Sequence, residues 1–132
     1  PRVFMADFDT ISNMRLYTPH FKQPNNLIPN AKKSYFGFNN IDLRGINMLG
    51  LDIIDFPKVK DSLWKVSIRT GSSNGEIIGS SRLSELTVAD DSFVRLPIKL
   101  TSDKKDLFIV FENDKYEKGV DEFEIRSVKF IK

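Results

Sequence analysis

Short apolar–polar alternations follow one another through the second half of this chain, and that rhythm restricts the fold more than any other feature. In Leu63-Trp64-Lys65-Val66-Ser67-Ile68-Arg69 the side chains of Trp64, Val66 and Ile68 fall on one face and Lys65, Ser67 and Arg69 on the other. That period of two belongs to a half-buried strand, because successive side chains of an extended backbone point to opposite sides. Val94, Leu96, Ile98 and Leu100 repeat the pattern against Phe93, Arg95, Pro97 and Lys99. Pro97 has no N–H to give a ladder, which predicts a sheet edge or a bulge at that position. Leu107-Phe108-Ile109-Val110-Phe111 is apolar on both faces and reads as a central strand covered on each side.

The remaining segments agree. Gly71-Ser72-Ser73-Asn74-Gly75 is a turn cluster, and Glu76 to Gly79 reads as its return strand, so residues 63–80 form a predicted hairpin. Near the C-terminus Phe123 and Ile125 share one parity, whereas Val128 and Phe130 share the other. A bulge near Arg126-Ser127 would reconcile them. Arg2 to Asp7, Ser34 to Phe38 and Met48 to Ile54 are further strand segments, and residues 84–91 are the best helix segment. Asn13 to Lys33, with Pro19, Pro24 and Pro29, reads as a long irregular connection. About eight to ten short strands with turn signals and almost no helix predict a single all-β domain, a sandwich or a barrel.

Composition removes whole classes of chemistry. The 132 residues include no cysteine, which excludes thiol nucleophiles, zinc–thiolate sites, iron–sulfur ligation and disulfides. The single histidine, His20, excludes a multi-histidine metal centre, and no G-x-S-x-G elbow or P-loop is present. A net charge of +2 with no basic arm argues against nucleic acid as partner. No apolar run approaches the roughly 20 residues of a membrane-spanning helix, and none resembles a signal-peptide h-region. The start at Pro1 reads as a processed chain or a piece of a longer one.

Two residue groups carry the remaining functional signal. Asp7 and Asp9 on the first strand would approach Asp121 to Glu124 if the termini of a sandwich meet. Such a cluster needs a cation, either a structural Ca²⁺ or the guanidinium of Arg126 beside it. The second group is aromatic. Tyr35 precedes the Phe36/Phe38 pair and Tyr116 lies in the charged loop Asn113 to Asp121, and an exposed tyrosine face near amides and carboxylates suits a sugar ring.

The order of segments resembles the family 6 carbohydrate-binding modules, in particular the variant appended to large bacterial sugar-dehydrogenase-like or haem-bearing chains. The resemblance rests on Met5-Ala6-Asp7-Phe8-Asp9, on Ser34-Tyr35-Phe36-Gly37-Phe38-Asn39-Asn40-Ile41-Asp42-Leu43, and on Val66 to Gly71. It continues through Gly75 to Gly79, Phe93 to Leu100, Asp106 to Phe111 and the closing Phe123-Glu124-Ile125-Arg126-Ser127-Val128-Lys129-Phe130. It implies an antiparallel jelly-roll β-sandwich of the galactose-binding-like kind over residues 1–132, binding a saccharide in a loop-end cleft without catalysis. In that cleft Tyr35 and Tyr116 would stack on the sugar while Asn113 and Glu124 orient its hydroxyls. A structural calcium would use Asp7, with Asp9 nearby, and a last-strand acid whose place is taken here by Arg126. The module would be an accessory domain beside a neighbouring domain of a larger secreted or periplasmic bacterial protein, with no nucleic acid or membrane as partner. The competing expectation is a degenerate sandwich that docks a domain or protein and has lost the sugar.

Overall fold

The computed structural model describes residues 2–4, 8–17, 26–54, 62–87 and 93–132, the first of these by backbone alone. Among them are eleven strands: β1 (Arg2–Phe4), β2 (Thr10–Ser12), β3 (Met14–Tyr17), β4 (Asn26–Pro29), β5 (Lys33–Asp42), β6 (Met48–Ile54), β7 (Lys65–Thr70), β8 (Glu76–Arg82), β9 (Val94–Pro97), β10 (Lys104–Glu112) and β11 (Glu124–Ile131). They form two antiparallel sheets. One runs β3-β4-β11-β6-β9, with β1 also pairing β11, and the other runs β2-β5-β10-β7-β8. Packed face to face, they make the jelly-roll sandwich that the alternation predicts.

The core lies between the sheets. Phe36, Phe38, Val66, Ile68, Ile109 and Phe111 come from one, and Leu49, Leu51, Val94, Leu96, Ile125, Val128 and Phe130 from the other. Trp64 and Ile98 join the same cluster, whereas Leu100, past the end of β9, is exposed and leaves the alternation it continues in sequence. β10 is central, between β5 and β7, and Pro97 sits on the edge strand β9. The parity slip is resolved as expected. Ile125 pairs with Ile53 and Val128 with Leu51, and the register shift between Ile125 and Ser127 lets both face the core.

Two expectations are corrected. The segment 84–91 makes no α-helix in its described part, only a 3₁₀ turn at Leu83–Glu85 held by buried Leu83. The connection 13–33 is less irregular than its prolines suggest, because Met14–Tyr17 and Asn26–Pro29 pair as β3 and β4. Pro29 is tolerated at the end of its strand, where a missing N–H costs least. No helix among the described residues is long and apolar enough to cross a membrane.

Candidate functional site

The larger hollow is built by one loop closing on the start of β7. Asp121 adopts φ 57°, in the left-handed region that aspartate tolerates better than most residues. Its Oδ2 accepts hydrogen bonds from Ser62 Oγ at 3.1 Å and Leu63 N at 2.9 Å. Its carbonyl accepts the Trp64 Nε1–H at 2.8 Å, so one residue clasps the β10–β11 loop to β7. At the other end of the loop, Asn113 is buried and gives its N–H to Lys32 O at 2.8 Å while its Oδ1 accepts the Lys115 N–H at 3.0 Å. The space between, about 470 Å³, is lined by Ser62, Leu63, Lys65, Arg82, Ser84, Glu112, Asn113, Asp114 and Lys115. That volume falls in the range of roughly 300–1,000 Å³ typical of small-ligand sites.

The second hollow, about 190 Å³, lies where β3, β4 and β11 adjoin and is lined by Arg15, Tyr17, Ile28, Glu122, Phe123 and Glu124. Tyr17 is 42% exposed, while its strand partner Asn26 is buried. Asn26 Nδ2 donates to Glu124 Oε1 at 3.1 Å, which holds that carboxylate at the hollow. The Oδ1 of Asn26 is buried and accepts from no donor among the described residues, a situation that ordinarily costs about 1–3 kcal/mol. Arg15 stands 3.9 Å from Glu122 across the rim.

The residues expected to form a single cleft are distributed over four places. Asn113 lines the larger hollow and Glu124 the smaller one. Tyr116 packs its ring edge-on to Trp64, with centroids 5.9 Å apart, and so belongs to the end of the core. Tyr35 pairs in register with Val110 and Ser12, and alternation with Phe36 turns it to the outer face of the five-stranded sheet. There it meets Phe108 edge-on at 5.9 Å. The sheet therefore separates Tyr35 from Tyr116. Sequence reasoning passed over Arg15, Tyr17 and Asn26, which lay in what read as an irregular connection. A Met-Arg-Leu-Tyr alternation was the available signal.

The calcium expectation centres on Asp7, which lies, as His20 does, outside the described residues. Asp9 Oδ2 accepts the Asn39 N–H at 2.7 Å and stands on the approach to β2 in the five-stranded sheet. No group of three or more acidic or histidine side chains gathers among the described residues. Arg126 does not neutralise Asp9 and Glu124 either. The bulge in β11 aims its guanidinium at the neighbouring strand, where Nε donates to Asp52 Oδ2 at 2.6 Å.

No family model and no curated protein matches the sequence. Solved structures do match over the full length. A family 6 carbohydrate-binding module from Clostridium cellulolyticum, solved in complex with xylose, superposes with a TM-score of 0.74 at 18% identity, covering 100% of this chain and 97% of that one. A β-1,3-glucan-binding family 6 module from Bacillus halodurans gives 0.71 at 14% identity, covering 100% of this chain and 96% of that one. A family 43 arabinoxylan arabinofuranohydrolase from Bacillus subtilis, in complex with cellotetraose, gives 0.72 at 14% identity. This chain is fully covered there but spans only 27% of that enzyme. The fold is thus that of the family 6 modules.

Proposed function

We propose that this chain is a non-catalytic saccharide-binding module and that the hollow between Tyr17 and Glu124 receives a sugar ring. The observation that carries the reading is the pairing of an exposed aromatic face with a carboxylate fixed from behind by a buried amide. A pyranose presents axial C–H groups to an aromatic face and hydroxyls around its rim. Tyr17 supplies the face, Glu124 accepts hydroxyls, and Arg15 donates to ring or hydroxyl oxygens. Glu124 keeps the hydroxyl-orienting role expected for it, while the stacking role passes from Tyr35 and Tyr116 to Tyr17. Neither of the former borders this hollow: Tyr35 lies on the outer face of the five-stranded sheet and Tyr116 packs against Trp64 at the end of the core. The likeness in fold to a module solved with xylose and to a β-1,3-glucan-binding module supports the same reading. An accessory domain of a secreted bacterial protein is the setting that suits it.

A shallow hollow of this size leaves most of an oligosaccharide in water, so binding is weak, on the order of 10–1000 μM. Titration calorimetry with xylohexaose and laminarihexaose tests the assignment. Tyr17→Ala and Glu124→Ala should each abolish the heat with circular dichroism unchanged, whereas Tyr35→Ala should retain it. Absence of binding to any neutral glycan at millimolar concentration, or normal binding by Tyr17→Ala, overturns it.

A further inference from the structure

The larger hollow has an electrostatic feature that sheet stability does not explain. Four charged side chains form one row across the five-stranded sheet: Glu112 pairs in register with Lys33 on one side and Lys65 on the other, and Lys65 pairs with Arg82. Lys65 precedes the inward-facing Val66, and Arg82 precedes buried Leu83, so both project from the outer face. Like charges directly opposite one another on adjacent strands are destabilising. Among the described residues neither Lys65 nor Arg82 forms an ion pair, and neither does Lys115 on the loop above them. Among the described residues three cations thus line one cavity of about 470 Å³ without an ion pair, Lys65 having Glu112 as its cross-strand neighbour on one side and the unfavourable Arg82 on the other.

We propose that this cavity is a second saccharide site, selective for sugars that carry a carboxylate or sulfate. The proposal rests on the module reading above but uses different residues. Arg82 offers the planar fork that matches a carboxylate in two hydrogen bonds, and Lys65 and Lys115 add compact positive charge. An anion bound among them converts the Lys65–Arg82 repulsion into attraction to a shared partner. Glu112 is flanked by Lys33 and Lys65, and it accepts sugar hydroxyls together with Asp114. Ser62 and Ser84 complete a lining suited to hydroxylated ligands, and exposed Leu63 provides an apolar rim for a ring face.

The test compares trigalacturonate, a sulfated galactan tetrasaccharide and xylohexaose by calorimetry on the whole chain, with free sodium sulfate as competitor. An acidic oligosaccharide should bind, weaken as salt is raised, and lose roughly tenfold or more in affinity with Arg82→Gln or Lys65→Gln, each removing a charge-assisted hydrogen bond. The two acidic arms distinguish carboxylate from sulfate. Arg82→Gln should also raise the melting temperature, because it removes a like-charge neighbour, whereas a purely structural arginine would lower it on removal. Equal affinity for acidic and neutral sugars, wild-type affinity in both variants, or equal competition by free sulfate overturns the proposal. Neutral binding that depends on Tyr17 alone would leave the module reading standing while this one fails, and absence of binding by any glycan removes both.

Discussion

Arg126 and Asp52 are bound to each other across neighbouring strands, Nε to Oδ2 at 2.6 Å, with Asp52 almost wholly buried and Arg126 half in water. The pair stands on β11, where the resemblance implied an acid serving a metal. A fixed guanidinium there supplies positive charge permanently and independently of any ion. Arg126→Met should therefore destabilise the fold by about 1–3 kcal/mol, below the roughly 3–5 of a fully buried pair because half of Arg126 is hydrated. Urea unfolding measures this. In the same assay excess chelator or added calcium should leave the wild-type midpoint unchanged, and a rise with calcium would show that the folded chain holds the ion despite this guanidinium.

Ile68 is fully buried on β7, opposite Ile109 of β10. Truncation to alanine leaves a cavity between the sheets and should cost about 2–5 kcal/mol. Thermal and urea unfolding followed by Trp64 fluorescence would read it, and a loss below half a kcal/mol would show that the core repacks freely.

Asp121 separates backbone strain from hydrogen bonding. Asp121→Asn keeps an oxygen for Ser62 and Leu63 and tolerates the positive φ, so its cost should stay below about 1 kcal/mol. Asp121→Ala loses both bonds and retains the strain, and about 2–3 kcal/mol is expected. Equal stability of the two variants would show that the clasp contributes nothing.

Asp42 and Arg44 form a local clamp in which Arg44 Nε and Nη2 both reach the carboxylate and the Arg44 N–H adds a third bond. The side-chain hydrogen bonds from Arg44 lower the Asp42 pKa from 3.8 to about 2. A depressed carboxylate stabilises the folded state above its unfolded value and loses that contribution as pH falls toward the folded one. The clamp should therefore persist at neutral pH and dissolve between about pH 4 and pH 2. Carbon-detected NMR titration of Asp42 follows it, and Arg44→Ala should return the midpoint toward the ordinary aspartate range.

Local pattern made much of the sandwich legible. Alternation around Trp64, Val66 and Ile68 identified a half-buried strand, and the doubly apolar 107–111 run identified the central one, because burial on one or both faces is written directly into the periodicity. The parity slip between Ile125 and Val128 disclosed the bulge, since one inserted residue is the only economical way for both to face inward. Side-chain partnerships between distant segments were not legible. The position of Arg126 in sequence is compatible with Asp9, Glu124 or Asp52, and only the strand order, with β6 beside β11, decides for Asp52. Tyr17 looked like part of a connection until its pairing with Asn26 brought it near Glu124. Lys65 and Arg82 are unremarkable surface residues until the β7–β8 register, set by the bulge near Ile78, puts them opposite each other. Sequence determines which face of a strand is apolar through the geometry of one backbone. Which polar groups converge on a site depends on register between strands far apart in the chain, and that is settled only when the whole core packs.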